Sequence, residues 1–362
     1  MTYEPILQLP TCPIDIIGDV HGQLAPLKQL MTLLGYDQCG RHPDGRRLVF
    51  VGDPCDRGPD SPGVFELVMR AVEVGGATCL LGNHELALVE GEPKAGNAWF
   101  FGGKRDAERD RTTFGPFRRL APARRDEILA FCEAMPVAAE HRELQIVHAC
   151  WDEECVEFVR SLGRVSNTEI IRHGLARAQG YLARYGLAER FPAAKARLEK
   201  QRRRRSWKAG GPHSAAVGTL IEDLKQGEVI QQRHNPMMVL TSGYEREART
   251  PQWLAGKWRF LERVPWWRRA KLAKPTVFGH YSRQRELVRV EDHDEHSVLF
   301  GAARDEHWLG PDRLAMCVDY RWHGNSRRPA LAALRPDIGD LMFWDGRLTS
   351  RWGKRAERAG VN

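Results

Sequence analysis

The chain has 362 residues, 42% of them hydrophobic and 28% charged. That apolar fraction excludes wholesale disorder, and no apolar run approaches the roughly 18 residues of a membrane-spanning helix. Lys and Arg total 55 against 47 Asp and Glu, a formal charge of +8, which favours anionic partners without naming one. The length exceeds the roughly 250–300 residues at which a single core stops growing, so one large domain with insertions, or two domains, is expected. Met1 to Pro10 lacks the basic-then-apolar layout of a secretion signal, and the cytoplasm is the expected compartment. Eight cysteines are scattered without a Cys-x-x-Cys pair, which argues against a disulfide framework or a zinc ribbon.

In chain order, Ile14–Gly18 is a short apolar run ending in a turn, a buried-strand pattern. Leu24, Leu27, Leu30, Met31 and Leu34 then recur at helical spacing. Leu48–Gly52 is a second strand, Val64–Val74 a second helix, and Thr78–Leu81 a third strand. This alternation predicts a sheet covered by helices. Ile146–Val147 reads as a later buried strand leading into His148. From 152 to 235 Arg and Ala dominate and a helical insertion is expected, one helix running from Ala193 into Arg202–Arg205. Residues 245–274 are basic and tryptophan-rich. Apolar runs return at Thr276–Phe278, Leu314–Val318 and Leu341–Trp344, and Asp345-Gly346 marks a closing hairpin. The expected boundaries are 1–151 and 275–362 for the two parts of a core, with 152–274 as a lid or wall between them.

Three turns follow the first three strands: Gly18-Asp19-Val20-His21-Gly22, Gly52-Asp53-Pro54-Cys55-Asp56-Arg57-Gly58 and Gly82-Asn83-His84-Glu85. Each sets a metal-ligand type just past a strand end, where ligands collect in open α/β sheets. Carboxylate, imidazole and amide donors suit Mn²⁺, Fe or Zn²⁺ better than a thiolate metal. Any one turn alone is ordinary loop chemistry; their joint order and spacing is not.

On these turns the chain resembles the calcineurin-like metallophosphoesterases, in the branch of the phosphoprotein phosphatases and the bacterial diadenosine-tetraphosphatase-like enzymes. The resemblance covers about 14–150 and 275–320, with His148 in Val147-His148-Ala149-Cys150 and His280 in Phe278-Gly279-His280-Tyr281 as the two later histidines. It implies an α/β (α+β) fold, a metallophosphoesterase β-sandwich flanked by helices and interrupted by a mainly helical insertion. It implies two divalent metal ions, manganese first with iron or zinc as alternatives: Asp19 and His21 on one, Asn83, His148 and His280 on the other, and Asp53 bridging. His84 is then the general acid, Asp56 its hydrogen-bond partner, Arg57 the donor to the phosphoryl oxygens, and Asp319 a supporting carboxylate. Pro54 and Cys55 depart from the family's small or aliphatic residues, and Cys150 replaces a glycine. Oxidation sensitivity or altered metal choice is one reading of the two cysteines, buried small hydrophobes the other.

Between Lys257 and Lys274 stand seven Lys/Arg and one acid, with Trp258, Trp266 and Trp267 interleaved. They read either as a nucleotide-binding strip, with Arg268, Arg269 and Lys271 on substrate, or as a tryptophan-anchored wall. His293 and His296 flank an acidic pair and read as a loop; Val239–Glu245 is a distinctive segment without a role. The function expected is metal-dependent hydrolysis of phosphate esters or anhydrides, serine/threonine-phosphatase-like in its site. The alternatives are a dinucleoside tetraphosphate or RNA-end phosphate hydrolase, and a nucleic-acid-binding protein with a vestigial site. The expected partner is a phosphorylated substrate; no membrane or protein partner is inferred.

Overall fold

The computed structural model describes residues 4–202, 218–254, 257–285, 299–301, 303–322 and 330–350. Its strands are β1 (Ile6–Gln8), β2 (Ile14–Ile17), β3 (Arg47–Phe50), β4 (Thr78–Cys79), β5 (Ala138–Glu140), β6 (Gln145–Val147), β7 (Glu245–Leu254), β8 (Lys257–Arg263), β9 (Thr276–Phe278), β10 (Arg283–Arg285), β11 (Ala315–Cys317), β12 (Tyr320–Trp322), β13 (Ala332–Arg335), β14 (Asp340–Phe343) and β15 (Leu348–Ser350). One sheet has the order β15-β14-β13-β2-β3-β4 and a second β1-β5-β6-β9-β11. Strands β2, β3 and β4 are mutually parallel, as are β6, β9 and β11. The chain closes in an antiparallel β13–β14–β15 meander, with Asp345-Gly346 at its last turn.

The period-2 alternation of side chains explains how the sheets stack. Ile14, Ile16, Val49 and Val51 of the first sheet meet Ile146, Val277, Met316 and Val318 of the second in one buried cluster. Ile17, Leu48 and Phe50 point the other way, onto the helices α1 (Leu24–Leu34) and α2 (Ser61–Gly75). Strands covered on both faces need continuous apolar sequence, which is why they stand out in the chain. α1 has the bounds its spacing predicts and stops at Gly35, whose φ is +91°. α2 starts at Ser61 rather than Val64, because Asp60 caps it by accepting the Gly63 N–H and Pro62 sits in its first turn. α3 (Asn83–Val89), α4 (Ala98–Phe101), α5 (Lys104–Phe114) and α6 (Arg125–Ala134) complete this half.

The insertion carries α7 (Glu153–Ser161), α8 (Asn167–Arg184), α9 (Arg190–Arg202), α10 (Gly218–His234) and α11 (Pro236–Ser242). It is not helical throughout: β7 and β8 pair as an antiparallel ribbon, with a register shift between Glu247 and Gln252. Val156, Val159, Ile170, Met237, Val239, Leu240, Trp266 and Trp267 join the core beside the second sheet. Leu182, Leu187, Phe191, Ala194, Leu224 and Phe260 form a smaller cluster of the insertion's own. Among the described residues no helix is long and apolar enough to cross a membrane. Arg203–Arg205, His213, His293, His296, His323 and the tail from Arg351 lie outside the described residues.

Candidate functional site

Six strands deliver their following turns to one edge of the sandwich. Asp19 follows β2, Asp53 follows β3 and Asn83 follows β4; from the second sheet His148 follows β6, His280 follows β9 and Asp319 follows β11. The parallel pairing within each trio puts its three carboxyl ends on the same side. The two sheets then meet across the site, where the His280 N–H donates to both Asp19 carboxylate oxygens at 3.2 Å.

Asp53 is the centre of the cluster and is 1% exposed. Its Oδ2 lies 3.5 Å from His148 Nε2, 3.8 Å from His21 Nε2 and 3.8 Å from His84 Nε2. Two sets of donor atoms, from His21, Asp53 and His84 and from Asp53, His148 and His280, each fall within 4.8 Å of one another. Asn83 Oδ1 joins the second set, 2.9 Å from His280 Nδ1 and 3.4 Å from His148 Nε2. Asp19 Oδ2 stands 3.9 Å from His21 Nε2. Backbone carbonyls fix two of the rings: Cys55 O takes the His21 Nδ1 proton and Val51 O the His148 Nδ1 proton, each at 3.0 Å. In both rings Nε2 is left to face the cluster.

Such crowding demands unusual backbone. His21, Asp53, Asp56, Arg57 and His280 all have φ between +47° and +70°, a costly region for a side-chain-bearing residue that persists where the surroundings over-determine it. Two glycines are needed for space: a Cβ on Gly82 would collide with Asp53 Oδ1, and one on Gly279 with Asp19 Oδ1.

The electrostatics suit cations. Burial, with Asp319 and Asp53 close by, raises the Asp19 carboxyl well above the usual range. Asp319 is likewise raised by burial, although Ser282 donates to it through its N–H (2.5 Å) and its hydroxyl (3.0 Å). Burial also acts on Asp53, but His148, His84, His21 and His280 outweigh it and hold the carboxyl well below normal. Borderline imidazole, carboxylate and amide oxygen form a donor set that fits divalent transition metals, and buried carboxylates packed this closely call for positive charge between them.

Beside the cluster, His84 Nδ1 lies 2.5 Å from Asp56 Oδ2, and Trp99 Nε1 donates to Asp56 Oδ1 at 2.6 Å. Arg57, which can only donate, places Nη1 3.0 Å from His21 Nε2 and Nη2 3.0 Å from His84 Nε2. His84 therefore carries its proton on Nδ1. Burial first, and then Lys94, hold its pKa below normal. The segment from Arg268 to Pro275 leads to the amino end of β9, whereas the cluster is at its carboxyl end. Arg268, Arg269 and Lys271 are exposed there, and Arg268 Nη2 donates to Leu299 O at 3.2 Å. Trp267 stacks on Phe278 and on Phe300 at 5.2 and 5.3 Å and is buried.

Sequence reasoning missed several neighbours. Glu85 Oε2 accepts the N–H groups of Asp53 (2.9 Å) and Gly82 (3.1 Å), and burial and Asp53 push its carboxyl up to about 8. It stood in the quoted Gly-Asn-His-Glu turn without a role. Lys94 Nζ donates to Asn83 O at 2.7 Å, and the Arg263 charge acts on both His280 and Asp319. Neither sits in a motif. Cys55 and Cys150 are buried free thiols, pushed up by that burial.

A sequence profile of the calcineurin-like phosphoesterases matches residues 12–165. Among curated relatives, the bis(5'-nucleosyl)-tetraphosphatase PrpE [asymmetrical] of Oceanobacillus iheyensis is 38% identical over 120 residues, 32% of this chain and 44% of that protein. Its namesake from Geobacillus sp. is 36% identical over 147 residues, 38% and 56% of the two chains. The chain thus spans about half the length of the curated relatives it matches. A solved structure, the cold-active protein-tyrosine phosphatase of a psychrophilic Shewanella, aligns over 96% of this chain and 84% of its own at 14% identity and a TM-score of 0.42. Residues 12–165, where three of the site's turns and the first of its two later histidines lie, are thus similar to the calcineurin-like phosphoesterases.

Proposed function

We propose that this chain hydrolyses phosphate esters or anhydrides with the help of two divalent ions, with dinucleoside polyphosphates as its substrate class. The observation that carries the reading is the pair of donor sets, buried but for the half-buried His21, that share Asp53. Asp19, His21 and Asp53 would hold one ion, and Asp53, Asn83, His148 and His280 the other. When bound, the ions would polarise the phosphoryl group and lower the pKa of a water nucleophile.

The chain's own groups do the rest. Arg57 offers a planar fork of donors, which can leave the two imidazoles for the oxygens of a bound phosphoryl group. His84 stands at hydrogen-bonding distance from that fork; once Arg57 has turned to the phosphoryl oxygens, the ring, keeping Nδ1–H on Asp56, takes up a second proton from solvent at Nε2 and as the imidazolium passes it to the leaving oxygen. Asp56, held by Trp99, fixes the ring and stabilises it when it is cationic. Asp319 grips Ser282 and with it the turn that carries His280. The names of the relatives support the dinucleoside polyphosphate, which also fits the chain's positive charge. A phosphoprotein substrate is the second reading.

The test is hydrolysis by metal-stripped protein with Mn²⁺, Fe²⁺ or Zn²⁺ restored, on p-nitrophenyl phosphate, a phosphopeptide and diadenosine tetraphosphate. Metal-dependent release of unequal nucleotide fragments from the tetraphosphate, faster than turnover of the phosphopeptide, is expected. Equal rates with and without metal would overturn the two-ion reading, and faster phosphopeptide turnover the substrate class.

A further inference from the structure

The distinctive segment Val239–Glu245 lies against the residues that follow both histidines of the second donor set. β6 ends at Val147, so the backbone of His148 and Ala149 leaves the sheet and needs partners elsewhere. Gly279 N–H supplies one, to His148 O at 2.8 Å. The insertion supplies the others. Leu240 O, one of the carbonyls a helix leaves free at its carboxyl end, accepts the Ala149 N–H at 2.9 Å. The Trp266 indole donates to Ala149 O at 3.0 Å. Ala149 is fully buried, so both of its backbone groups depend on those two residues.

The residue after His280 is held from the same quarter. Tyr281 is 1% exposed, its hydroxyl 3.4 Å from Val264 O and its ring 5.0 Å from the Trp267 ring. The Tyr281 hydroxyl also lies directly against Gly243, where a Cβ would collide with it. Gly243 closes α11 at φ +74°, and its carbonyl accepts from the Gln232 side chain. The other donor set is braced differently: Val20 and His21 give their N–H groups to Asp53 O, at 3.1 and 2.9 Å, and Gly22 gives its own to Pro54 O at 2.9 Å.

We infer that α11 and the Trp266 turn form a clamp that positions His148 and His280, so that the insertion sets the affinity of the second metal ion far more than that of the first, which it reaches only through the His280 N–H on Asp19 and the shared Asp53. The inference rests on the two-ion reading above. Leu240, Gly243 and Trp266 are positioning residues: they touch neither ion nor substrate and act through Ala149 and Tyr281. Partners that orient metal ligands are worth about 10–100-fold in metal affinity.

The experiment is calorimetric titration of the metal-stripped full chain with Mn²⁺, alongside thermal unfolding of the metal-free protein. Trp266→Phe removes the indole N–H but keeps a ring among Phe278 and Trp267. It is expected to weaken one ion about tenfold or more and the other several-fold less. Tyr281→Phe removes only a hydroxyl and should weaken the same ion to a smaller degree, which keeps the test open if Trp266→Phe does not fold. Phe260→Leu, in the insertion's own cluster, should lower the unfolding temperature while both affinities hold. Unchanged titrations for both clamp variants, equal weakening of the two ions, or the same selective loss in Phe260→Leu would overturn the clamp. A wild-type chain that binds fewer than two ions would instead overturn the reading beneath it.

Discussion

In the proposed role of general acid, His84 supplies a proton that the proposed metal ligands cannot, so its removal should split substrates by leaving group. General acid catalysis contributes about 10²–10⁴-fold, and an alkoxide needs the proton more than a nitrophenolate does. His84→Ala should therefore lose about that factor on an alkyl phosphate and clearly less on p-nitrophenyl phosphate, with metal content by mass spectrometry unchanged. Equal losses on both would remove the role. Trp99→Phe cuts one of the two hydrogen bonds made by the Asp56 carboxylate. It should lower kcat on the alkyl ester about tenfold and leave KM nearly alone; a change confined to KM would place Trp99 in substrate binding. These residues also show what was legible. The ligand turns could be read because a strand, a glycine and a metal-ligand type recur three times at one strand–helix spacing. Trp99 and Lys94 could not, because each reaches the site from a segment whose own sequence pattern is unremarkable, and Glu85 was visible only as part of a turn. Only the folded chain brings Arg263 near His280.

At the scale of elements, a periodic apolar face made the difference between legible and hidden. In α1, Leu27, Leu30, Met31 and Leu34 are buried against the sheet while Leu33 is 43% exposed. Leu30→Ala should cost about 2–5 kcal/mol, as large-to-small core changes do, and Leu33→Ala under about 0.5 kcal/mol; urea denaturation measures both. Comparable losses would mean that this face does not carry the packing. α5 offered no such signal, since only Ala107 and Asp110 of its eleven residues are buried. The β7–β8 ribbon was hidden for another reason: Glu, Arg and Pro interrupt its sequence, and it stands as a two-stranded sheet beside α10 rather than within the sandwich. The tryptophans were ambiguous in the sequence. The packing of Trp266 and Trp267 against Phe278 and Phe300 makes them part of a wall.

Across the whole molecule, strands of the first sheet that are far apart in the chain are tied together by charge. Arg46, before β3, donates to Asp337 in the turn between β13 and β14 at 2.7 and 2.8 Å, joining positions 291 residues apart. The same guanidinium holds Asp15 of β2, which is fully buried and also accepts from the Tyr36 hydroxyl at 2.7 Å. The Arg46 hydrogen bonds, outweighing some burial, hold the Asp337 carboxyl below the usual carboxylate range. A carboxyl whose folded pKa is depressed adds stability above its unfolded value of about 3.9 and loses it as pH falls through the folded value. The pair is part-exposed, so its contribution is a modest one, screened by solvent. Asp337→Asn should therefore unfold at lower denaturant than the wild type, by a constant margin from pH 7 down to about 5. The margin should shrink below about pH 4, as the wild-type carboxyl takes up its proton and loses what the variant already lacks. Guanidinium titrations of both proteins between pH 7 and 3 measure it. A margin that stays constant to pH 3, or widens there, would mean that Asp337 contributes by packing or turn geometry and not by its charge on Arg46.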